Sequence, residues 1–163
     1  MLVPFENISP QARIWTYQIP RNLTEIETKT VSTMLHDFVQ NWQAHQQNLQ
    51  ASYQILHNRF IILAVDESFE TASGCSIDKS VAVIKQISTL LNVDLFDRLS
   101  LNYLNNSSNS SWETTKIATL KTKIEKQEFT KNTIIFNSLV QTKQDLLTNG
   151  IVEAATTWVK KYF

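Results

Sequence analysis

A chain of 163 residues with 15 basic and 15 acidic side chains carries no formal net charge, so it lacks the basic field that general nucleic-acid binding needs. With 42% hydrophobic residues it can bury a core, and its length suits one domain over residues 1–163. Only two glycines, Gly74 and Gly150, and one cysteine, Cys75, are present; these counts exclude a Walker A loop, a GxGxxG loop, an intrachain disulfide and a Cys-rich metal site.

Residues 13–19 (RIWTYQI) are β-branched and aromatic and are closed by Pro20, the pattern of a strand. Thr24 and Glu27 fit a capping box. Apolar residues then recur through Val31, Leu35, Phe38 and Trp42, which predicts a first helix reaching about His45. Residues 51–56 and 59–65 read as two strands, with His57 and Asn58 in a tight turn between them. The second run, RFIILAV, is almost wholly apolar and predicts a central strand covered on both faces. Ile77, Val81, Ile84, Ile87 and Leu91 share one face of a second helix.

Leu99, Leu101 and Tyr103 alternate with Ser100 and Asn102, marking a fourth strand. Residues 105–111 (NNSSNSS) predict a solvated tip. A fifth strand over 112–117, a short helix over 118–127 and a sixth strand over 133–137 follow. Thr142 and Asp145 open a further helix, with Gly150 as its C′ residue. The tail carries Trp158, Tyr162 and Phe163 and is expected to dock on the body. The order strand–helix–strand–strand–helix–strand predicts an α+β fold, a ferredoxin-like split βαβ sandwich with a C-terminal β/α extension.

Residues with chemical potential gather around one loop. Asp66 ends the third strand, and Ser73, Gly74, Cys75, Ser76, Asp78 and Lys79 lead into the second helix. Free N–H groups and the positive end of a helix dipole belong there. Three readings follow. Cys75 is a reactive thiol, with Asp78, Lys79 and His57 modulating it. Alternatively, a small anion sits on the 73–79 loop, held by Ser73, Gly74, Ser76, Lys79, Asp66 and Arg59. The structural reading makes Cys75 a small hydrophobe, Ser73 or Ser76 a cap, and Arg59 an ion-pair partner of Asp66, Glu67 or Asp78. His36 and His45, nine residues apart on the predicted helix, fall on opposite faces, so no metal is expected.

The run NRFIILAVDES followed by ASGCSIDKSV resembles a family of short bacterial proteins that often carry the label ABC transporter ATPase. The likeness extends to PFENISPQARIWTYQ, to NTIIFNSLV and to the Trp158 and Tyr162-Phe163 tail; residues 105–111 and Tyr162 depart from it. It implies a small stand-alone soluble protein and supplies no catalytic residues. The label itself conflicts with the residues, because neither a phosphate loop nor an LSGGQ-type signature can be written with two distant glycines.

The sequence therefore predicts a non-catalytic binding or interaction module without a cofactor, whose partner is another protein, a second copy of itself or a small anion. The thiol enzyme or redox sensor is the alternative, and ATP hydrolysis is not expected. The longest apolar run is six residues, so no membrane insertion is expected. The opening MLVPFENISPQAR lacks the charged start and apolar stretch of a signal peptide, which predicts a cytoplasmic location.

Overall fold

A computed structural model describes residues 1–105 and 110–163; most of the polar tip predicted at 105–111 lies outside the described residues. Strand β1 (Arg13–Gln18) leads to helix α1 (Glu25–Gln40). The capping box forms: the Thr24 hydroxyl accepts from Glu27 N–H at 3.2 Å, and Glu27 accepts from Thr24 N–H at 2.9 Å. Helix α1 buries Val31, Leu35 and Val39 but stops five residues short of His45. Trp42 extended the apolar period past the true end, because it still packs against Phe38 and Trp15 from beyond the last turn. Residues His45 and Gln46 take left-handed φ angles of 49° and 67° between two short strands, β2 (Gln43–Ala44) and β3 (Gln47–Asn48). Nothing in the Ala-His-Gln-Gln sequence advertises that turn, since Gly and Asn, which adopt it most readily, are missing.

Strand β4 (Gln50–Leu56) turns into β5 (Phe60–Asp66) through His57 and Asn58, at φ 51° and 52°. Strand β5 is central, antiparallel to both β1 and β4, in the order β1-β5-β4. Its apolar run is explained by two covered faces. Ile61, Leu63 and Val65 meet α1 and α2 (Gly74–Leu91), while Phe60, Ile62 and Ala64 meet the N-terminal segment, Phe136 and Leu146. β1 and β4 run parallel and are joined across α1, which gives one split βαβ unit.

The mixed α+β class is as expected, but the fourth strand goes elsewhere. A ferredoxin-like sheet would set β6 (Ser100–Asn105) beside β1. Instead β6 pairs with β7 (Ser111–Lys116) on one edge and with β8 (Ile134–Phe136) on the other. Alternation identified the strand; it could not name the partner. A short helix α3 (Leu120–Glu125), helix α4 (Lys143–Asn149) and an unanticipated strand β9 (Ile151–Glu153) complete a second sheet of order β7-β6-β8-β9 and its covering. Gly150 is right-handed, at φ −75°. A side chain there would meet the Leu146 carbonyl oxygen at 2.3 Å, so close approach, not left-handed geometry, calls for glycine. The tail docks as expected: Val159 is fully buried and Phe163 stacks on Phe129. No helix among the described residues is long and apolar enough to cross a membrane.

Candidate functional site

The structure divides the predicted site between two ends of the first sheet. His57 and Arg59 precede β5 and Asp66 closes it, about 20 Å away at the rise of a strand. Cys75, Asp78 and Lys79 stand in the first turns of α2. The other end of that helix lies near Arg59: Arg21 donates to the Leu91 carbonyl at 3.0 Å, and Arg59 donates to the neighbouring Pro20 carbonyl at 2.9 Å. Cys75 is thus most of a helix length, about 25 Å, from His57 and Arg59. Neither the Cys75–His57 dyad nor an anion site combining Arg59 with the 73–79 loop is assembled.

Ser73, Ser76 and Asp66 have local tasks instead. The Ser73 hydroxyl caps α2, accepting from Ser76 N–H at 3.2 Å. Ser76 is buried, donates to the Ser73 carbonyl, and its own carbonyl takes the Trp42 indole N–H at 2.8 Å. Gly74 has no atom within 4 Å of where a Cβ would stand and no positive φ, so nothing local requires glycine. Asp66 accepts from the Ser68 amide and hydroxyl at 3.0 and 2.6 Å. Cys75 and Asp78 are exposed. Lys79 is also exposed and lines a 520 Å³ groove between α1 and α2 with Met34, Phe38 and Trp42. His57 packs its ring against Trp112 at 5.7 Å.

The ion pair expected for Arg59 is absent among the described residues. The side chain is only 4% exposed and is surrounded by neutral oxygens. It donates to Asn102 Oδ1 (2.8 Å), Asn22 Oδ1 (2.8 Å), the Pro20 carbonyl and Thr114 Oγ1 (both 2.9 Å). Burial pushes the guanidinium down from its ordinary value, while the charge of Glu113 opposes that shift. The group remains a cation under any ordinary condition. Its fork binds the β1–α1 loop to β6 and β7, which is to say the first sheet to the second.

That polar seam continues to a cavity. Asn102 donates from its side chain to Gln18 Oε1 at 3.0 Å, and Gln18 lines a 320 Å³ cavity between the sheets. Leu95, Ile117 and Leu139 give the cavity apolar wall; Asp97, Arg98, Trp158 and Lys161 give it polar wall. Asp97 is committed internally, accepting from Leu99 N–H (2.8 Å), the Ser100 hydroxyl (2.6 Å) and the Lys116 ammonium. The Lys116 contact, followed by the Ser100 bond, holds its carboxyl down at about 2. Arg98 has no hydrogen bond or ion pair among the described residues. The Lys161 ammonium rests over the Trp158 and Tyr162 rings, 5.9 and 5.2 Å from their centroids. The Trp158 indole N–H is the sole buried side-chain polar atom among the described residues without a hydrogen-bond partner.

An orphaned buried donor costs about 1–3 kcal/mol. Few native groups are left in that state. Here it lies in the ring that walls a cavity of ligand size, beside two cations. No protein-family model matches the chain, and no match was found among curated proteins or solved structures. Among the described residues, no group of three or more His, Cys, Asp and Glu side chains is placed to hold a metal ion.

Sequence reasoning missed this site because its residues come from five separated segments. Gln18 lies in a strand, Asp97 and Arg98 in a loop, and Trp158 and Lys161 in the tail. The available signal was the tail itself, where aromatic residues flank Lys160 and Lys161 on a segment expected to dock.

Proposed function

We propose that this chain is a non-catalytic binding module of the cytoplasm that takes a small molecule in the cavity between its two sheets. The observation that carries this reading is the cavity itself, whose wall brings Arg98, Lys161 and the Trp158 ring together from separate segments. A volume of 320 Å³ is at the small end of ligand pockets and corresponds to roughly ten waters. Arg98 and Lys161 in its wall are cationic donors with no carboxylate partner among the described residues, the arrangement expected where a ligand supplies acceptors. The split βαβ unit is the ferredoxin-like part of the fold in this reading, and the second sheet is the addition that creates the site.

Catalysis at Cys75 loses support, since the thiol stands at the far end of α2 from the histidine assigned to it. ATP hydrolysis gains none: Gly74 opens α2 and Gly150 caps α4, so neither belongs to a phosphate loop. The test is a thermal-shift screen of small metabolites on the wild-type chain and on Ser138→Trp, which fills the cavity. A ligand at a hundredfold excess over its Kd is expected to raise Tm by about 5–10 °C. That rise should vanish in Ser138→Trp; hits that persist there would place binding elsewhere.

A further inference from the structure

We propose, resting on the cavity reading above, that the ligand is a small organic anion with an apolar body. The charge balance of the wall argues for the anionic head. Its one carboxylate, Asp97, is already matched by Lys116, which leaves Arg98 and Lys161 as uncompensated cations on the same cavity. Both can donate to an oxyanion, and Arg98 can do so through two parallel N–H groups. The Trp158 indole adds a neutral donor. That N–H is closed off from solvent in the free protein, so donation to a ligand requires the Trp158 ring to tilt. Gln18 contributes a donor as well. Its Oε1 is occupied by Asn102, so its side-chain amide nitrogen is the end left to face the cavity.

The apolar body follows from the rest of the wall. Leu139 is 63% exposed although it lines the cavity with Leu95 and Ile117. A bare inorganic anion would leave that surface in water; a short branched or cyclic hydrocarbon would cover it. The size limits the body to a few carbons beyond the head group.

The experiment is calorimetric titration of the full chain with three probes: 4-methylpentanoate, its neutral amide, and inorganic phosphate. The acid is expected to bind one to one, with the amide and phosphate each at least tenfold weaker. Arg98→Ala and Lys161→Ala are each expected to weaken the acid about tenfold and to leave the amide unchanged, because each removes one charge-assisted contact. An amide that binds as tightly as the acid overturns the anionic head while leaving the cavity reading standing. Phosphate binding as tightly as the acid overturns the apolar body. If no probe binds, and none protects the chain in the thermal-shift screen, both this inference and the cavity reading fall.

Discussion

The two faces of β5 and the seam at its beginning are built on opposite rules. Residues 60–65 are completely buried, and every one is apolar. One residue earlier, Arg59 is nearly as buried, yet it is a cation surrounded by four oxygens from three other segments. Apolar packing is non-directional, so it tolerates exchange of similar volumes. A forked cation among fixed acceptors does not. The first region explains why the sheet and its helices hold together. The second fixes the angle at which a second sheet joins, and thereby the shape of the cavity between them.

The largest effect is expected where that contrast is sharpest. Arg59→Lys retains the charge but cannot reach Asn22, Asn102, Thr114 and Pro20 together, and should lower the unfolding free energy by about 2–4 kcal/mol. Leu63→Met, equally conservative by volume in the apolar half, should cost less than about 1.5 kcal/mol. Urea unfolding of the two variants measures both. Equal losses would mean that the seam is ordinary packing.

A smaller effect distinguishes the seam from the charged rim. Asp97 beside Lys116, and Glu27 beside Arg21, both have carboxyls drawn down to about 2 from ordinary values of 3.8 and 4.5. Depressed acids contribute stability that is complete above their unfolded values, and it is lost as pH falls through the folded ones. Urea midpoints should therefore hold from neutrality to about pH 4.5 and decline between there and pH 2, by a modest amount because both pairs are partly exposed to solvent. Asp97→Asn should flatten part of that decline. The acceptors of Arg59 are neutral, so Arg59→Lys should shift the whole curve without changing its shape.

Much of the first sheet was legible in the sequence because each of its signals is local. The Thr24 capping box, the turn at His57 and Asn58, and the two-faced burial of RFIILAV depend on residues within a few positions of one another. The pairing of β6 was not legible, since alternation at Leu101 and Tyr103 defines a strand without choosing its neighbour. The site failed for a related reason. Sequence proximity drew Arg59, Asp66 and Cys75 into one cluster, but a straight strand and a straight helix carry neighbours apart. Arg98 and Trp158, sixty positions distant, line the same cavity.

The indole N–H resonances of the four tryptophans test the central claim most directly. In the free protein the Trp158 proton should lie upfield of the Trp42 proton, which is hydrogen-bonded to the Ser76 carbonyl. Titration with 4-methylpentanoate should move the Trp158 signal downfield and saturably while the Trp42 signal stays in place. A Trp158 resonance that is already downfield in the free protein, or that never moves as the acid is added, would contradict the account.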